Sequence, residues 1–174
     1  MNTFNKLYHS DLSRYGSHID RWVKRYLYYF RKVSTCNNNL IKLYYRFRYR
    51  LICERHGIEI PRQVSIGEGF YLGHPYNITI NEKVVLGKNI NIHKGVTIGQ
   101  ENRGQRKGVP SIGDCVWIGV NSTIVGKITI GNDVLIAPNT YVNRDIPSHS
   151  IVMGNPCKIF VSQNATADYI NNKV

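Results

Sequence analysis

The sequence predicts a mainly β protein: a parallel β-helix of hexapeptide repeats with an N-terminal α-helical cap and one protruding loop. Three observations carry this. Between residues 60 and 147 an aliphatic residue returns every six positions. One run passes through Ile60, Ile66 and Leu72 and resumes with Ile80, Leu86, Ile92 and Ile98; a second passes through Ile112, Ile118, Ile124, Ile130, Ile136 and Val142. A second apolar set stands two residues before the next beat, at Val64, Phe70, Val84, Ile90, Val96, Val116, Ile128, Val134 and Ile146. Glycine follows the beat at Gly67, Gly73, Gly87, Gly99, Gly113, Gly119 and Gly131. In a solenoid of this period each hexad supplies one short strand and one corner, and three hexads, about 18 residues, close a triangular coil. Inward residues two apart follow the strand period, whereas a helix would need a repeat of 3.6.

In chain order, residues 1–17 are polar and mixed and are expected to fray. From Ile19 the spacing turns helical, with Ile19, Trp22, Val23, Tyr26, Phe30 and Val33 on one face. A second helix carries Leu40, Leu43, Tyr44, Phe47 and Leu51 at i, i+3, i+4 spacing and stops at Gly57. The polar faces hold Arg21, Lys24, Arg25, Arg31, Lys32, Lys42, Arg46, Arg48, Arg50 and Arg55. Residues 1–58 contain 12 Lys+Arg against 3 Asp+Glu, a net +9 out of +12 for the chain. The apolar faces are expected to shield the open end of the prism and pack on neighbouring subunits. The basic, Tyr-rich faces suit an anionic membrane surface or an anionic acceptor. No nucleic-acid motif accompanies the charge. The β-helix domain is expected over 59–160. Its beat slips at Gly73-His74-Pro75-Tyr76-Asn77 and opens into a loop between Ile98 and Ile112. Such insertions project outward, usually on the binding face. Pro147 and Pro156 are expected to close the prism, and the polar tail, 161–174, to be disordered. Cys36, Cys53, Cys115 and Cys157 form no C-x-x-C pair and read as free thiols in a reducing cytoplasm. The N-terminus lacks an apolar signal core, and no run of about 18 apolar residues offers a membrane span.

The repeat, the histidine at the first slip, the loop, and the ending Ile146-Pro147 followed by Gly154-Asn155-Pro156-Cys157-Lys158-Ile159 resemble the hexapeptide acyltransferases. The resemblance covers about residues 58–160 and points to the branch of serine acetyltransferase and its relatives in polysaccharide gene clusters. It implies a left-handed parallel β-helix, a homotrimer with sites between prisms, and acetyl-CoA as acetyl donor without a metal. His74 matches the catalytic histidine: a neutral imidazole takes the proton of an acceptor hydroxyl as it attacks the thioester. Glu59 stands where the serine enzymes carry an aspartate that orients this histidine. Gly119, Ala137 and Pro138 match positions along the pantetheine arm, Lys158 lies where a basic residue meets the CoA phosphates, and Arg103 is a further cofactor candidate. His93, Tyr76, Arg106 and Lys107 are expected at the acceptor.

Two departures shape the acceptor expectation. The serine enzymes carry an aspartate before the histidine and an Arg-His pair ending the loop; here Gly73, Gly108 and Val109 stand instead. A zwitterion needs fixed opposite charges, so the expected acceptor is a sugar hydroxyl of a surface polysaccharide or its precursor. Serine in cysteine biosynthesis is the alternative, and a non-catalytic binding protein of the same fold is the second. The γ-class carbonic anhydrases also use this fold. They need two histidines close in sequence and a third further back, and His74, His93 and His149 do not supply the pair.

Overall fold

The structure is a computed structural model that describes residues 3–174. Three helices precede a solenoid: α1 (Thr3–Ser13), α2 (Arg21–Thr35) and α3 (Asn39–His56). The first coil holds β1 (Ile58–Glu59), β2 (Ser65–Ile66) and β3 (Tyr71–Gly73); the second β4 (Ile78–Ile80), β5 (Val85–Leu86) and β6 (Asn91–His93). The third holds β7 (Thr97–Gly99), β8 (Ser111–Ile112) and β9 (Val116–Ile118); the fourth β10 (Thr123–Val125), β11 (Thr129–Ile130) and β12 (Val134–Ile136). β13 (Tyr141–Val142), β14 (Ser150–Met153) and β15 (Lys158–Val161) complete the chain's strands. Strands stack into three sheets, of five, four and six strands. This is a parallel three-sided solenoid, consistent with a left-handed β-helix.

The hexad beat becomes vertical stacks of aliphatic side chains. Leu72, Ile92, Ile118, Ile136 and Val152 share register down one sheet. Ile66, Leu86, Ile112 and Ile130 do so down another, which Ile146 extends. Every residue of both apolar sets is buried, and each Leu, Ile or Phe so buried is worth about 1.5–3 kcal/mol. The solenoid does not end at Pro147: β14 continues parallel to β12, and the ending is β15 folding back antiparallel on β14. Pro156 lies in the turn of that hairpin.

The first coil leaves an open hydrogen-bonding edge, a liability in any sheet protein. The helices cover it with side chains. Arg31 donates to the carbonyls of Ile66 and Gly67 at 2.8 and 2.7 Å, and Arg14 donates to Gly69 O at 2.7 Å. The Phe70 N–H donates to Asp11 Oδ1 at 2.9 Å, and the Tyr49 hydroxyl donates to Ile60 O. Asp11 and Arg31 are fully enclosed and joined by two bonds of 2.7 and 2.9 Å. Phe30 packs on Phe70, ring centroids 6.3 Å apart.

Three expectations are corrected here. Residues 1 and 2 lie outside the described residues, but from Thr3 the start is not frayed: α1 exists because Phe4 and Asp11 are buried against the rest. Arg31 is not on a solvated face; the coil's edge carbonyls need its guanidinium. The tail from 162 onward is not disordered but runs back along the solenoid. Asp133 receives the N–H groups of Ala165 and Thr166, Tyr169 packs on Trp117, Asn171 O accepts from Arg14, and Val174 pairs with Asn89. Within one chain the apolar stripe of α3 does not shield the prism. Tyr49 is the helix's one buried residue, while Leu40, Leu43, Tyr44, Phe47 and Leu51 stand in solvent.

Candidate active site

The first slip forms a corner between β3 and β4. Gly73 ends β3, and His74 follows with φ 48°. That left-handed conformation is unusual for a residue with a side chain, and it holds His74 exposed at the rim. Gly73 pairs with His93 across the sheet. A Cβ on Gly73 would lie 2.4 Å from the His93 ring, so the glycine leaves the space that this imidazole fills. His93 also packs on Trp117 at 4.7 Å. Its Nε2 is buried without a hydrogen-bond partner among the described residues. Burial, then the neighbouring His74, lowers its pKa from 6.5 to about 4, so the ring is neutral at pH 7.

Beside His74 lies a cleft of about 360 Å³ lined by Tyr15, Ser17, His18, Asp20, Tyr71 and His74, among others. The α1–α2 linker forms one wall. Tyr15 pins it, accepting from the Leu72 N–H at 2.8 Å and stacking on Tyr71 at 4.4 Å. Asp20 occupies the N-cap position of α2, yet its side chain makes no capping bond. Asp20 is exposed and lines the same cleft as His74. Sequence reasoning missed Tyr15, His18 and Asp20: residues 1–17 were expected to fray, and the helical spacing from Ile19 gave His18 and Asp20 no role.

The cofactor candidates fall in line with this corner. The register that pairs Gly73 with His93 passes, one residue beyond the paired Ile92, Ile118, Ile136 and Val152, through Gly119, Ala137 and Met153. Met153 pairs with Lys158 across the terminal hairpin. At about 4.8 Å per rung, Ala137 is about 14 Å below Gly73. One edge of one sheet thus presents, in order, His74, His93, Gly119, Ala137 with Pro138, and Lys158.

The other expected residues lie apart. Tyr76 packs on Trp22 and His56 at 5.4 and 5.3 Å, as part of the junction with the helices. Glu59 is exposed on β1 opposite Thr79, and among the described residues no hydrogen bond or ion pair joins it to His74. The loop folds into a small hairpin closed between Glu101 and Gly108. Its Arg106 donates to Asn143 O, and Arg103 and Arg106 line a hollow with Val125, Gly126 and Asn143. Within one chain, then, Arg103, Arg106 and Lys107 belong to a different corner from His74. No group of three or more His, Cys, Asp or Glu able to hold a metal occurs among the described residues.

Residues 110–144 match the model of the bacterial transferase hexapeptide (six repeats). The chain is 39% identical over 108 residues to serine acetyltransferase 2 of Arabidopsis thaliana, covering 62% of this chain and 33% of that protein. It is 36% identical over 122 residues to serine acetyltransferase of Staphylococcus epidermidis, covering 66% of this chain and 57% of that one. Among solved structures, serine acetyltransferase of Neisseria gonorrhoeae in complex with serine superposes with a TM-score of 0.70 at 28% identity, over 91% of this chain and 69% of that one. The soybean apoenzyme shares the fold with a TM-score of 0.77 at 22% identity, over 92% and 70%. The chain spans from about a third to under half the length of the first of these curated relatives.

Repeats, solenoid and likeness together are those of the hexapeptide-repeat acyltransferases. Within that class its similarity is to the serine acetyltransferases. The sugar acceptor expected from Gly73, Gly108 and Val109 is overturned: the relatives and solved neighbours are serine acetyltransferases. The expectation looked for a carboxylate only near His74 in sequence, whereas the fold brings Asp20 to the same cleft from 54 residues before it.

Proposed function

We propose that this protein is an acetyl-CoA-dependent O-acetyltransferase acting on the hydroxyl of serine. The observation that carries the reading is the alignment of His74, Gly119, Ala137 and Lys158 along one sheet edge. The pantetheine arm lies on the small residues, its phosphates toward Lys158, its thioester toward His74. The serine hydroxyl attacks the thioester carbon, and His74 takes its proton. The C–S bond then breaks, and the departing thiolate receives that proton from the imidazolium. Asp20 holds the serine ammonium. Glu59, fifteen residues before His74, is proposed as its orienting carboxylate on that spacing alone.

The same reading makes the enzyme a homotrimer. The serine carboxylate needs a cation, and Arg103, Arg106 and Lys107 stand at a different corner from their own His74. They meet the acceptor from a neighbouring copy. The reading also keeps the enzyme in the cytoplasm, with its basic N-terminal helices on the membrane's inner face; no helix among the described residues is long and apolar enough to cross a membrane.

The test is thiol release from acetyl-CoA with serine as acceptor. Turnover is expected from the wild type and not from His74→Ala, and Asp20→Asn is expected to raise KM for serine while leaving kcat largely intact. Absence of serine-dependent release by the intact protein would sink the reading.

A further inference from the structure

Among the described residues, nothing covers the outward face of α3. Leu40 is 82% exposed, Leu43 61% and Phe47 59%, with Tyr44 and Leu51 beside them. Their i, i+3, i+4 spacing puts all five on one narrow stripe. By the same spacing Arg46 and Arg50 flank it on one side, Arg48 and Arg55 on the other. Between α3 and the first coil runs a groove of about 470 Å³, where Leu43 and Phe47 meet Arg46, Arg50 and Arg62. Contiguous exposed apolar residues on a soluble fold mark an interaction surface.

Charge decides the occupant. The segment that carries the stripe has three acidic residues: Asp11, buried on Arg31; Asp20, in the cleft beside His74; and Glu54, paired with Arg50 at 2.6 Å. A second copy of this face would bring arginines against arginines. An anionic surface would meet them with opposite charge. An apolar ridge edged by arginines is also the form in which a helix lies in a lipid interface, its long cationic side chains reaching the headgroups. We propose that α3 docks the protein flat onto an anionic lipid bilayer. Leu40, Leu43, Tyr44 and Phe47 enter the acyl boundary, and Arg46 and Arg62 bind lipid phosphates. The inference does not depend on the identity of the acetyl acceptor.

The test uses the intact protein with vesicles of phosphatidylcholine alone or mixed with phosphatidylglycerol, read by co-sedimentation. The wild type sediments with the anionic vesicles and not with the neutral ones, and added salt weakens the association. Leu43→Ser with Phe47→Ser weakens it by at least about tenfold. These side chains are exposed, so the fold survives, and acetyl transfer in the absence of vesicles is unchanged. A wild type that stays in the supernatant, or a double variant that binds equally, overturns the proposal. So does a fall in the solution mass of the double variant by light scattering, which would make the stripe an interface between copies. A wild type that binds vesicles but transfers no acetyl group to serine would instead leave this surface standing and remove the catalytic reading.

Discussion

His74 and Gly73 show how one position dictates another. His74 is exposed, so His74→Ala should fold normally and lose about 10²–10⁴-fold in kcat, the range of a general base; thiol release beside an unchanged melting curve checks both halves. Gly73 is different, because its missing side chain is the space of the His93 ring. Gly73→Ala should cost about 1–3 kcal/mol in urea unfolding, as overpacking does. Most of that should return when His93→Ala is added, a coupling that a double-mutant cycle measures. His93 also has a pH signature. Its folded pKa, about 4, lies below the ordinary 6.5, so between these values the unfolded chain binds a proton that the fold refuses. Stability from this group is full above pH 6.5 and falls as pH drops toward 4. Melting temperature measured across that window should decline in the wild type and decline less in His93→Gln. Some slope should remain, because His56 is shifted the same way by burial and then by Arg55.

At the scale of elements, the helices are an edge cover for the first coil before they are anything else. Asp11 and Arg31 form the centre of that cover. Burial drives the Asp11 carboxyl upward while Arg31 and the Phe70 N–H pull it back. Removing one partner strands the other in a dry site, so Arg31→Met should destabilise by about 3–5 kcal/mol in chemical denaturation. The junction of α3 with the solenoid rests on Gly57, which caps the helix at φ 63° and leaves room for Asn77. Gly57→Ala is expected to cost at least about 1 kcal/mol, read in the same assay.

For the whole molecule, the tail from 162 onward ties the last coils to the first. Asp133 holds one end, and Asn89 and Arg14 the other. Deleting residues 164–174 should lower stability by at least about 1.5–3 kcal/mol from the loss of buried Ile170 alone, visible as a lower melting temperature. The same deletion removes the N–H partners of Asp133 and the acceptor of the Arg14 Nε–H, so the loss should exceed that figure.

The solenoid could be read from residue order because its information is periodic and local: thirteen beats and their flanking apolar set each repeat the same instruction, and all became core. The corner that holds His74 was visible for a related reason, as the place at which the beat slips. Packing over long separations decided the rest. Asp20 reaches the cleft, Arg31 the edge carbonyls and Tyr169 the face of Trp117 only because distant segments meet there, and no spacing rule encodes such a meeting. The α3 stripe teaches the converse. Its spacing announced a buried face, but one turn of the helix buries Tyr49 and leaves the other side out, because a pattern states which residues share a face and only the tertiary contacts state what that face touches.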